Sequence, residues 1–344
     1  MTMRVCCQHL IKPCFFLALL GITQLAQADQ LIIEPEMGRA PLLEAIERTQ
    51  HTLSLAMYGL TDETLLNAIT KQKQLGRTVN VFLEQHPYKN ENENETAIQA
   101  FKTQKVAWQG VIPPYRFIHQ KTLILDNKQA IVMTFNFTHA SFKNERNFAL
   151  IIDDPITVHD ITAVFNADWQ HTPIGTHATE LIYSPNDSRS ALLKQIKNAR
   201  HTLNIYQQSV SDFDLVGALA KAAQRGVKIN LLLSHPPRQK QADYLKRAGV
   251  VIKTSKHYYI HAKVLMIDGE TAILGSINFT RASLNDNREL AILTRDKTVV
   301  RQLETTFYQD FGASKRHKKT SPQKTARLTA QQRYFLRHFL KLID

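Results

Sequence analysis

The chain has 344 residues, a formal net charge of +13, 43% apolar residues and 21% charged ones. That balance excludes a disordered polyelectrolyte and is enough for one large core or two medium ones. Its three cysteines, Cys6, Cys7 and Cys14, fall within the first 28 residues, so residues 29–344 hold neither a disulfide nor a thiolate-bound metal.

Residues 1–28 read as a signal peptide. Arg4 and Lys12 precede an apolar run at 15–22, and Ala-Gln-Ala at 26–28 suits a signal peptidase. The run is shorter than the roughly 20 residues of a membrane span. A periplasmic or secreted protein is therefore expected. The charge is uneven: residues 313–344, with nine bases and one acid, carry +8, while residues 29–312, with 32 bases and 29 acids, carry only +3. The high pI belongs to the tail and does not show that the body is a basic platform for nucleic acid.

The body repeats itself. LLEAIERTQHTLSL at 42–55 returns as LLKQIKNARHTLNI at 192–205, and LGRTVNVFLEQHP at 75–87 as RGVKINLLLSHPP at 225–237. A repeat of this length is a duplicated domain. Each copy predicts an amphipathic helix, a strand, a helix begun by an Asp, Ser or Thr cap, a second strand, another helix and a hairpin. KNENENET at 89–96 reads as a loop insertion in the first copy only. A last helix closes each copy, with Trp169 and Phe311 as core residues, and His86 and His235 read as turn residues. The predicted fold is α/β: two pseudo-twofold-related α/β/α sandwich repeats, each a mixed sheet flanked by helices, with the site between them. The boundaries are 29–174 and 175–312, followed by a basic tail at 313–344.

The hairpins carry the chemistry. His119, Lys121 and Asp126 recur as His261, Lys263 and Asp268, and each set is followed by Asn-Phe-Thr beginning at Asn136 or Asn278. Residues two apart on a strand face one side, so each His stands beside its Lys. Asp126 and Asp268 fall at turns and are expected to fix them. Two hairpins meeting at a twofold axis would bring two imidazoles, two ammoniums and two carboxamides to one cleft.

These residues resemble the phospholipase D superfamily, whose signature is H-x-K-x-x-x-x-D followed by G-S-x-N. HAKVLMIDGETAILGSIN matches it throughout; the first copy has Met133 and Thr134 where the family has Gly and Ser. The halves are similar in size to the compact bacterial nuclease branch, fused into one chain. The resemblance implies a phosphodiesterase that hydrolyses a phospholipid headgroup phosphodiester through a phosphohistidine, with His119 as nucleophile and His261 as general acid and base. Lys121, Lys263, Asn136 and Asn278 would hold the phosphoryl oxygens, with Ser276 and Thr134 as further hydroxyl donors. Glu289, 28 residues after His261, is expected to hold His261 from behind, and Asn147 would leave His119 neutral. No metal or cofactor is called for. The alternative is a metal-independent endonuclease acting on DNA or RNA with the same site.

In the tail, residues 313–327 read as a disordered basic segment. Residues 328–343 read as an amphipathic helix for a phospholipid membrane surface. Fusion of the halves predicts a catalytic monomer.

Overall fold

The computed structural model describes residues 29–316. The leader and the helix expected at 328–343 lie outside the described residues. The first half runs β1 (Gln30–Glu34), α1 (Ala40–Arg48), β2 (Thr52–Met57), α2 (Glu63–Gln74), β3 (Thr78–Leu83), α3 (Glu95–Gln104), β4 (Ala107–Gln109), β5 (Thr122–Leu125), β6 (Gln129–Met133), β7 (Glu145–Ile152) and α4 (Pro155–Trp169). The second runs β8 (Leu181–Ser184), α5 (Ser188–Asn198), β9 (Thr202–Gln207), α6 (Phe213–Gln224), β10 (Lys228–Leu233), α7 (Gln239–Arg247), β11 (Val251–Thr254), β12 (Tyr259–Ile260), β13 (Val264–Ile267), β14 (Thr271–Gly275), α8 (Arg281–Asn285), β15 (Glu289–Thr294), α9 (Lys297–Ala313) and β16 (Lys315–Arg316).

The expected helix starts have a visible cause. Asp62 and Asp212 accept from the first-turn amides of α2 and α6, and Asp154 and Asp296 do the same for α4 and α9. The first sheet is ordered β1-β7-β6-β5-β2-β3-β4 and the second β8-β15-β14-β13-β9-β10-β11, the same path, extended at its edge by β16. β2–β3–β4 and β9–β10–β11 pair in parallel, and the remaining neighbours along each path are antiparallel. Helices α1 to α3 cover the outer face of one sheet through Leu42, Ile46, Leu65, Ile69 and Phe101. Helices α5 to α7 cover the other through Leu192, Ile196, Leu219 and Leu245. The inner faces share one core with α4 and α9, where Phe165, Tyr183, Tyr206 and Phe307 are buried and Trp169 and Phe311 pack against them. Each sheet therefore has helices on its outer face, and the inner faces meet directly where β6 and β7 lie against β14, with α4 and α9 packed into the same core.

Regular structure runs a few residues past the expected boundary at 312. α9 continues to Ala313, and Lys315–Arg316 pair antiparallel with β11.

The insertion in the first half is anchored by one buried residue. Asn94 Oδ1 accepts from the Leu60 N–H, and its Nδ2 donates to the carbonyls of Tyr58 and Glu84. A fully satisfied carboxamide thus ties the loop across the ends of β2 and β3.

Candidate active site

The repeated Asn-Phe-Thr sets the loops after β6 and β14. Phe137 and Phe279 are buried anchors. The Phe137 carbonyl accepts from the N–H groups of Thr61 and Asp62, and that of Phe279 from Ser211 and Asp212. This places Asn136 and Asn278 with no protein partner for either carboxamide oxygen. Gly275 begins the second loop at a point of close approach: a Cβ there would lie 2.3 Å from the Leu290 carbonyl oxygen.

Asp126 and Asp268 stand away from this centre. Each is in the left-handed region, and each carboxylate accepts three backbone N–H groups at the start of the neighbouring strand. The donors are Gln50, His51 and Thr52 for Asp126, and Arg200, His201 and Thr202 for Asp268. Burial pushes both carboxyls up, but these amides hold them below the usual carboxylate range. Their role is to bind the hairpin turn to the sheet.

The histidines lie in the short extended segments just before β5 and just after β12, and these segments cross between halves. The His119 and Gln120 N–H groups donate to the Arg288 carbonyl, and the Arg288 N–H donates back to Phe117. Reciprocally, the Ala262 N–H donates to the Arg146 carbonyl, and β12 pairs in parallel with the start of β7. Two buried arginines fasten this seam. Arg288 pairs with Asp168, and Arg146 with Glu36 and Asp310.

Strand exchange overturns the expected pairing of Glu289 with His261. Glu289 Oε2 lies 2.8 Å from Nδ1 of His119, and His261 Nδ1 lies 3.2 Å from Asn147 Oδ1. Each imidazole is backed by the other half. The hydroxyls are corrected too. Thr134 Oγ1 donates to Asn147 Oδ1 and accepts from the Phe148 N–H. Ser276 Oγ accepts from the Leu290 N–H and hydrogen-bonds Glu289. Both orient the backing residues and are unavailable as phosphate donors.

The backing residues fix the tautomers. A carboxylate only accepts, so His119 presents Nδ1–H to Glu289. Asn147 Nδ2 donates to Glu145 Oε2 at 3.0 Å, which turns Oδ1 toward His261 and requires Nδ1–H there as well. Both imidazoles therefore offer Nε2 as their free nitrogen.

The centre is crowded with cationic groups. Burial lowers the basicity of His261 well below normal, and Lys263, Lys121 and His119 lower it further. Burial also lowers His119, against which Glu289 pulls upward. Lys121 is brought to about 7 by burial, and Lys263 well below its ordinary value by burial and by Lys121. Contacts across the halves bring these groups together: His119 meets Glu289, His261 meets Asn147, and Lys263 Nζ donates to the Thr134 carbonyl at 3.1 Å. Tyr58 lines it, with its ring 4.8 Å from that of His119 and Lys121 over its face. Glu93, from the insertion, adds a carboxylate in electrostatic reach of Lys121. The sequence reading missed Tyr58, Glu93 and Glu145; Glu145 was signalled by the order Glu-Arg-Asn at 145–147 against Asn-Arg-Glu at 287–289.

A lowered lysine gives a signed pH dependence. Lys121 is cationic below about 7 and loses its charge above it. Affinity for a phosphonate monoester, whose charge is constant across this range, is therefore expected to fall toward about tenfold per pH unit above 7. Lys121→Arg should flatten that dependence in a calorimetric titration.

The fold and site define a duplicated α/β protein with one shared centre built from both copies. The chain belongs to the phospholipase D superfamily: a family model described as "Cardiolipin synthase, PLD-like domain" matches residues 42–169 and again 192–311. It is 25% identical over 234 residues to the major cardiolipin synthase ClsA of Bacillus subtilis, covering 58% of this chain and 48% of that protein. It is 33% identical over 133 residues to cardiolipin synthase 1 of Staphylococcus epidermidis, covering 36% and 27%. The chain thus spans about half or less of the length of these curated relatives. Among solved structures, the fold is similar to phosphatidylserine synthase from Haemophilus influenzae, with a TM-score of 0.68, 12% identity and 92% and 94% of the two chains covered. Polyphosphate kinase from Porphyromonas gingivalis is also similar, with a TM-score of 0.69, 17% identity and 91% and 53% covered.

Proposed function

We propose that this chain cleaves the headgroup phosphodiester of a phospholipid through a phosphohistidine on His119. The observation that carries the reading is the pair of imidazoles at one centre, both with Nε2 free and backed unequally. The names of the curated relatives support a phospholipid substrate.

In the first step His119 Nε2 attacks phosphorus, and the bond to the headgroup oxygen breaks. Glu289 balances the positive charge that His119 acquires on phosphorylation. The site's lysines and the carboxamides of Asn136 and Asn278 stabilise the oxygens of the five-coordinate transition state. His261 donates the proton that the leaving oxygen requires. It is a weak base in the empty site, and an anionic phosphodiester beside it favours its charged form. In the second step His261 takes a proton from water or a lipid hydroxyl, which attacks phosphorus as the P–N bond breaks. Water yields hydrolysis and a lipid alcohol yields transfer.

The test uses the purified full chain in EDTA with phosphatidylglycerol vesicles and, separately, plasmid DNA. Lipid turnover with intact plasmid is the expected outcome, and the product ratio of phosphatidic acid to cardiolipin reads hydrolysis against transfer. Plasmid nicking without lipid turnover replaces this reading with the nuclease one.

A further inference from the structure

We propose that Glu145 is a positioning residue for His261, acting through the amide of Asn147. This rests on the reading that the two imidazoles divide the chemistry between them. Glu145 Oε2 accepts from Asn147 Nδ2 at 3.0 Å and from Ser141 Oγ at 3.1 Å, and lies 3.8 Å from His261 Nδ1. Asn147 Oδ1 in turn faces His261 Nδ1 at 3.2 Å.

The second half holds the same three residue types with Glu and Asn interchanged. Ser283 Oγ and Asn287 Nδ2 both donate to Glu289 Oε1, but here the carboxylate itself touches the imidazole, His119. Glu145 and Asn147 are two apart on β7, so they share a face, as do Asn287 and Glu289 across the start of β15. Interchanging Glu and Asn between these positions gives one histidine a direct carboxylate and the other a neutral amide with a carboxylate behind it. One pattern used twice, with two residues exchanged, makes the imidazoles unequal.

Glu145 decides the direction of the Asn147 amide because it is a one-way partner. Thr134, the other neighbour of Asn147, has a hydroxyl that can donate or accept and would tolerate either orientation. The carboxylate can only accept, so Nδ2 must face it and Oδ1 must face His261. A reversed amide would present Nδ2–H to the ring and favour the Nε2–H tautomer. His261 could then neither take a proton at Nε2 from an incoming hydroxyl nor reach the doubly protonated form without displacing the amide.

The tautomer can be read without substrate. Nitrogen-15 NMR of the full chain is expected to show the His261 proton on Nδ1. Glu145→Ala should lower the ratio of the Nδ1–H to the Nε2–H form about tenfold, with His119 unchanged. Glu145→Gln, which keeps the shape but can donate as well as accept, removes the one-way constraint and should lower the ratio in the same direction, by less than Glu145→Ala. Ser141→Ala, a milder change, should move His261 in the same direction as Glu145→Ala. A ratio untouched by both alanine variants, or a shift of His119 equal to that of His261, overturns the proposal. Phosphoenzyme trapping on the same proteins separates the two readings: a His261 shift in a protein that never forms phosphohistidine leaves the positioning intact and sinks the proposed chemistry.

Discussion

His119→Ala is expected to abolish the covalent phosphoenzyme and lower kcat/KM by about 10⁴-fold or more, while His261→Ala still forms the intermediate but fails to discharge it. A nitrophenyl phosphodiester separates the steps. Nitrophenolate leaves without a proton, so His261→Ala should give a burst of one equivalent, followed by turnover about 10³-fold slower than wild type. His119→Ala should give no burst. The unequal backing argues for this order: the imidazole that becomes a phosphoimidazolium carries a fixed positive charge, and Glu289 lies beside His119 to balance it. His261 must gain and lose a proton within one cycle, and a neutral amide partner leaves both states accessible. A burst from His119→Ala but not from His261→Ala interchanges the roles.

Much of this fold was legible in local pattern. The Asp caps of α2 and α6, the period-two faces of the hairpin strands and the shared order of elements each follow from spacing within one repeat. The His-Lys pairs were legible for the same reason. Their backing was not, because it depends on which strand adds to which sheet. Tyr259–Ile260 precede β13 in sequence yet pair with Glu145–Arg146 of the other half. Once that exchange is made, position 147 faces His261 and position 289 faces His119, whatever their distance along the chain. Thr134 and Ser276 escaped for a related reason. Their place after the hairpin suggested donors to a phosphate, but their hydroxyls are engaged by Asn147, Glu289 and the backbone. The contrast between Glu-Arg-Asn and Asn-Arg-Glu was visible in the sequence. Its meaning required knowing that both segments meet the opposite histidine.

That exchange makes Glu289→Gln the sharpest test of the site's wiring. Glu289 is fully buried and accepts from His119, Ser283 and Asn287. Burial alone would raise its carboxyl; His119, followed by Lys121 and Ser276, holds it below the usual range. Glutamine keeps the shape and one accepting oxygen but removes the charge. Without that charge the basicity of His119 falls further below normal, because Glu289 opposes the effect of burial. The ring remains neutral, yet it is a weaker nucleophile and the phosphoimidazolium it forms has no counter-charge. Phosphoenzyme formation is therefore expected to slow by about 10²–10³-fold. Stopped-flow measurement of the nitrophenolate burst reads that step alone. Discharge depends on His261, whose backing is Asn147, so intermediate prepared on the variant should break down at a rate within about threefold of wild type. Pairing within one repeat predicts the reverse: formation intact and discharge lost, since Glu289 would then serve His261. A normal burst with a stalled intermediate would thus restore the arrangement expected from sequence spacing and refute the crossed one.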